Sequence, residues 1–166
     1  MTTELSSIER RVIAEDLIYG GTLLLDEQRF EDWLALTASR FRYRIGAYSP
    51  EIRKEMTWLD HDRDGMHALF ELLGKHHVDH ATWFRHAVVQ RVTQEGPETL
   101  RAVTQLAIFH TSVDVGDVHV EAGSTRLFAV ARYHDELVLE NGRWLLADRL
   151  ARLDTRQLGI GSHVIV

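Results

Sequence analysis

Apolar residues recur at three- and four-residue steps near the start of the chain: Leu5, Ile8, Val12, Ile13 and Leu17. Side chains so spaced share one face of a helix, which predicts an amphipathic helix reaching about Leu25. Gly20-Gly21 inside it is unfavourable for a helix and points to a kink or to close packing. Asp26 is placed to cap a second helix, with Phe30, Trp33, Leu34 and Thr37 on its buried face. The period then falls to two. Phe41, Tyr43 and Ile45 alternate with Arg42 and Arg44, the mark of a half-buried strand. Residues 46–57, with Pro50, read as a loop. Asp60 or Asp62 would cap a third helix over 64–73, stopped by Gly74.

Beyond residue 80 the helical period disappears. The stretches 82–93, 100–113 and 124–139 are long, rich in β-branched residues and free of internal proline. Glu95-Gly96-Pro97 separates the first two, and an Asp- and Gly-rich run over 114–123 separates the second two. Asn141-Gly142 stands between Leu139 and Trp144. A type I′ turn needs positive φ at both central residues, so this pair predicts a hairpin in which 137–139 meet 144–146. The last strand should run on towards Leu153. Helices first and an antiparallel meander later describe one α+β domain over 1–166, its helices packed on a strongly curved sheet. Strands this long need bulges to bend.

Composition narrows the chemistry. The chain has 166 residues, enough for one real core. It contains no cysteine. Disulfides, thiolate nucleophiles and thiolate-held iron–sulfur clusters are therefore excluded on this polypeptide. A net charge of −6 repels phosphate backbones and argues against a nucleic-acid partner. No basic start followed by an apolar run suggests a signal peptide, and no apolar run is long enough to span a bilayer. The expectation is a soluble cytoplasmic protein with no membrane partner.

Four stretches carry a family resemblance. They are Leu24-Leu25-Asp26-Glu27-Gln28-Arg29-Phe30-Glu31-Asp32-Trp33-Leu34, Thr82-Trp83-Phe84-Arg85-His86-Ala87-Val88, Leu127 to Leu137 with Arg132-Tyr133-His134-Asp135-Glu136-Leu137, and Asn141-Gly142-Arg143-Trp144 through Asp154. In this order and spacing the chain resembles the NTF2-like (cystatin-like) cone. Within it, the chain resembles the small β subunits of Rieske non-haem iron ring-hydroxylating oxygenases. The run Met56 to Asp64 is richer in Asp and His than the aromatic-dioxygenase pattern, as is Lys75 to His80. Both resemble the alkanesulfonate (methanesulfonate) monooxygenase branch.

The resemblance implies a non-catalytic structural subunit in an α3β3 assembly built on a β trimer. The large α subunit would carry the Rieske [2Fe-2S] cluster and the mononuclear Fe(II), and a ferredoxin or reductase would feed it electrons from NAD(P)H. The substrate would be an aromatic acid or a small organosulfonate. No cofactor is expected on this chain. Nor does it carry the Asp/Glu-x2-His-x4-5-His spacing of the α-subunit iron site, since Asp64-x2-His67 is followed by no histidine until His76.

Other groupings offer chemistry of their own. His76, His77, Asp79 and His80 include metal-ligand types, but a helix stopped at Gly74 would leave them in a polar surface loop. Asp60, His61, Asp62 and Asp64 offer carboxylates to a hard cation, against the simpler reading of helix capping. An NTF2-like cone can also house a dehydratase or isomerase pocket, for which Tyr43, His86, His110 and Asp135 are the candidate acid, base and electrophile. Strand parity would turn His86 inward with Phe84 and Val88, and His110 inward with Leu106 and Ile108; a lone inward histidine is more often a satisfied core residue. The late basic residues Arg126, Arg132, Arg143, Arg149, Arg152 and Arg156 suit a solvated sheet face or interface ion pairs. The apolar tail over 158–166 suits docking on a neighbour. The interface candidates are Arg132, Asp135, Arg149, Arg152, Ile160 and Val164.

Overall fold

Helix α1 (Ser7–Asp26) begins with a capping box: the Ser6 hydroxyl accepts from the Glu9 amide while the Glu9 carboxylate accepts from the Ser6 amide. The structure is a computed structural model describing residues 4–76, 81–113, 122–158 and 165–166. Ala14, Ile18, Gly21, Thr22 and Leu25 form the buried stripe of α1, while of the predicted face Leu5, Ile13 and Leu17 are partly buried and Ile8 and Val12 stand 74% and 49% exposed. Gly21 serves close packing, since a Cβ there would meet the Trp33 indole at 3.4 Å, whereas Gly20 faces open space. Asp26 ends α1 and does not cap α2 (Phe30–Leu34), whose N-cap is Arg29 without a side-chain bond.

Strand β1 (Thr37–Ser49) carries the predicted alternation and continues past it. The expected loop over 46–57 is a turn followed by a strand, β2 (Lys54–Asp62), which pairs antiparallel with β1. Asp62 caps α3 (Arg63–His76) by accepting the Gly65 amide at 2.8 Å. Gly74 does not stop α3, which runs two residues beyond it. Helix α1 lies against β3 (Thr82–Gly96): Arg11 donates to the Val89 carbonyl, and the Tyr19 hydroxyl accepts the Val89 amide.

Strands β3, β4 (Thr99–Thr111), β5 (Thr125–Glu140) and β6 (Arg143–Leu153) form the antiparallel meander. Asn141 and Gly142 have φ of 51° and 75°, the positive values that the hairpin turn requires and that this pair tolerates. It sets Leu137 opposite Leu146 and Leu139 opposite Trp144, as the hairpin signal predicts. The six strands lie in the order β2-β1-β6-β5-β4-β3, with β1 and β6 parallel. Register shifts interrupt every pairing, and these bulges let long strands curve around the helices.

The core lies between the helices and the concave face. Trp33 is its hub, meeting Phe41, Tyr43 and Phe70 edge-on at 5.6, 6.2 and 5.6 Å. Ile165 and Val166 join the same buried cluster. The parity of β3 is opposite to the sequence expectation. Trp83, Arg85 and Val89 point inward, while Phe84 is 58% exposed and His86 faces solvent beside it.

Candidate functional site

The inward face of the sheet carries charged and phenolic groups at its centre. Ala102, Asp135, Arg149 and Tyr43 are successive cross-strand partners along one row. Thr104, Tyr133, Ala151 and Ile45 form the next inward row. Arg149 donates from Nε and Nη2 to the two Asp135 oxygens, each at 2.8 Å, and its guanidinium lies 3.7 Å from the Tyr133 ring centroid. Both charged residues are almost wholly excluded from water. The bidentate pairing and the ring face offset the desolvation of the two charges. Burial pushes both the Tyr43 and the Tyr133 hydroxyl above the ordinary phenol range, so both stay protonated donors at neutral pH.

A second buried pair faces this one from β3. Arg85 holds Asp26 through its guanidinium and its backbone amide. Its other arm donates to the Ile165 carbonyl, and the Tyr43 hydroxyl donates to the Val166 carbonyl. The sequence offers Asp26 only as a helix cap and gives Arg85 no role in a site. Their signal was the inward parity of Trp83 and Arg85, outweighed there by the apolar Phe84 and Val88.

The pocket candidates do not converge. Tyr43 and Asp135 lie in the interior, each with a partner from the chain itself. His110 is half-buried, edge-on to Trp83 at 4.7 Å. His86 does not enter the interior at all, because β3 turns its even residues outward. No base-and-electrophile arrangement links these four. A surface cleft of 630 Å³, lined by Thr37, Ser39, Arg40, Phe41, Asp62, Arg63 and Asp64, is open and polar.

The acidic cluster disperses into structural roles. Asp60 accepts from Arg42 Nε at 2.9 Å and Nη2 at 2.6 Å, and that bonding lowers its carboxyl below the ordinary range. Asp62 is the cap of α3, and Asp64 lies at the rim of the cleft. His77, Asp79 and His80 lie outside the described residues, and His76 closes α3. Among the described residues, no three His, Asp or Glu side chains are grouped to hold a metal. An iron–sulfur cluster does not fit this chain, which supplies no thiolate.

Of the interface candidates, Asp135 and Arg149 are internal, engaged with each other. Arg132 and Arg152 are exposed, facing Asp154 at 3.4 Å and Glu55 at 2.6 Å. Ile160 and Val164 lie outside the described residues. The last two residues of the tail are buried within this chain rather than presented to a neighbour. No helix among the described residues is long and apolar enough to cross a membrane.

Comparison with known proteins identifies the lineage. Residues 6–149 match the SnoaL-like domain. The chain is 42% identical over 148 residues to the methanesulfonate monooxygenase hydroxylase subunit beta of Methylosulfonomonas methylovora, covering 88% of this chain and 81% of that one. It is 28% identical over 149 residues to the 2-aminobenzenesulfonate 2,3-dioxygenase subunit beta of an Alcaligenes species, covering 90% and 94%. Naphthalene 1,2-dioxygenase, solved with indole in its active site, superposes with a TM-score of 0.73 over 99% of this chain and 89% of that one, at 16% identity. The fold is accordingly the NTF2-like, cystatin-like α+β cone. The chain belongs to the SnoaL-like domain family and, within it, to the family of oxygenase β subunits that includes that of methanesulfonate monooxygenase.

Proposed function

We propose that this chain is the structural β subunit of a Rieske-type oxygenase hydroxylase that oxidises a small organosulfonate with O2 and NAD(P)H-derived electrons. One observation carries the reading: 42% identity along 148 residues with the β subunit of a sulfonate monooxygenase hydroxylase. The interior supports a structural role. Tyr43 and Asp135, which an acid–base pocket would need free, are bound to Val166 and Arg149. The cluster and the catalytic iron then reside on a large α subunit, served by a ferredoxin or reductase, in a cytoplasmic α3β3 assembly.

The outer face of the sheet supports a subunit role as well. Phe84, Phe109 and Leu127 are cross-strand partners across β3, β4 and β5. Phe84 and Leu127 are 58% and 54% exposed, and Val88 and Val130 stand exposed nearby. A contiguous apolar row on a sheet face suits cover by another subunit of the assembly. Native mass spectrometry of the chain co-expressed with its genomic neighbour tests the reading. The expected product is an iron-containing hetero-oligomer whose metal stays with the larger subunit on dissociation. A chain that purifies alone in the neighbour's presence and turns over a substrate unassisted overturns it.

A further inference from the structure

The polar interior holds more donors than its own acceptors occupy. With the Arg149–Asp135 and Arg85–Asp26 pairs formed, the buried Arg149 Nη1, Tyr133 hydroxyl, Thr104 hydroxyl, Arg85 Nε and Trp83 indole N–H have no hydrogen-bond partner among the described residues. Orphaned buried polar groups are costly, and several in one region mark a place suited to an additional acceptor. Two further donors there are satisfied by main-chain carbonyls from far along the sequence. Arg85 serves Ile165 and the Tyr43 hydroxyl serves Val166, across 80 and 123 residues. Ile165 and Val166 are only 5% and 1% exposed.

We infer that residues 165–166 are a displaceable plug seated in a binding site of the cone, and that the site takes a small apolar carboxylate. The tail supplies what such a ligand would supply. Its carbonyl oxygens receive the Arg85 and Tyr43 donors, and the Ile165 and Val166 side chains fill apolar volume in the core. A carboxylate would take over those donors and offer lone pairs to the partnerless Tyr133 and Arg149 groups. The inference goes beyond the assembly reading and does not depend on it.

The absence of cysteine makes the test clean, because Val166→Cys introduces a single thiol. The reaction of that thiol with Ellman's reagent is followed in the folded full-length chain and in urea. The expected folded rate is at least about a hundredfold below the unfolded rate, since exclusion of the reagent by burial protects a thiol. Adding Tyr43→Phe should raise the folded rate about tenfold, the scale of one lost hydrogen bond. Benzoate, the probe carboxylate, should raise the Val166→Cys rate with a saturating dose dependence, because it competes with the tail. A folded rate equal to the unfolded one means no plug and overturns the inference. A benzoate response that is flat or slowing, at any concentration up to tens of millimolar, overturns the ligand assignment. If Tyr43→Phe fails to fold, the benzoate titration of Val166→Cys alone decides.

Discussion

Truncating Asp135 would leave the Arg149 guanidinium buried at the centre of the cone without its counter-charge, since among the described residues its partners are the Asp135 carboxylate and the Tyr133 ring. Breaking one side of such a pair costs about 3–5 kcal/mol. Asp135→Ala is therefore expected to lose that much in urea unfolding, enough to threaten a domain of ordinary stability. The Asp135→Leu/Arg149→Met double variant should recover most of it, because apolar residues of similar volume need no solvation. Equal losses in the single and double variants would mean that shape, not charge, governs the site. At the surface the effect is electrostatic and pH-dependent. Hydrogen bonding from Arg156 holds the Glu51 carboxyl down to about 2, from an ordinary 4.5. With the folded value below the unfolded one, the contribution is present above about pH 4.3 and lost as pH falls towards 2. An NMR titration should place the Glu51 midpoint near 2, and Arg156→Ala should return it towards the ordinary value.

Among the elements, glycines separate the places where the backbone needs freedom from those where it does not. Gly20 and Gly74 lie in helices with open space where a Cβ would stand. Alanine at either should raise stability by roughly 0.5–1 kcal/mol in thermal or chemical unfolding. Gly46 sits at the bulge between β1 and β2, where a Cβ would approach the Met56 carbonyl at 3.1 Å, so Gly46→Ala should lower stability instead. These positions also show where sequence patterns sufficed. The Asn141-Gly142 hairpin, the existence of α1 and the meander were legible because each rests on local chemistry: positive φ, a 3.6-residue period, and long β-branched runs. The face of α1 was not, since Ile8 and Val12 stand exposed while Ala14, Ile18 and Thr22 are buried. Strand β2 was not, because its burial is slight and irregular and it is held by edge pairing with β1 rather than by an apolar face. The orientation of β3 was misread for a related reason. An alternation of Trp83 and Arg85 against Phe84 and His86 is apolar on both sides. What turns Arg85 inward is Asp26, 59 residues away, which no local period reveals. The candidate site was half legible on the same grounds: Tyr43 and Asp135 were recognised, while their partners depended on register and on where Val166 is seated.

At the scale of the whole molecule, the sheet has two outer surfaces of different character. Around β6, β1 and β2, charge answers charge within the chain: Arg42 meets Asp60, Arg44 meets Asp148, and Arg152 meets Glu55. Across β3, β4 and β5, the Phe84, Phe109 and Leu127 row is apolar and open. Exposed ion pairs contribute only about 0–1 kcal/mol to folding, so Arg132→Glu and Arg152→Glu should unfold near the wild-type midpoint. The same reversals at a subunit contact set like charges against a partner or leave its carboxylates unpaired, at about 2–5 kcal/mol. Both variants should therefore fold normally yet co-purify poorly with the large subunit. Phe84→Asp tests the apolar surface in the same way, because a carboxylate there costs nothing in water and much under a neighbour. Sedimentation velocity of the co-expressed hydroxylase, beside urea unfolding of each variant, separates the two effects. Loss of assembly with unchanged unfolding places the residue at a subunit contact. Wild-type assembly by Arg132→Glu and Arg152→Glu, with Phe84→Asp alone defective, would confine the contact to the apolar surface; assembly by all three would move it off this sheet face altogether.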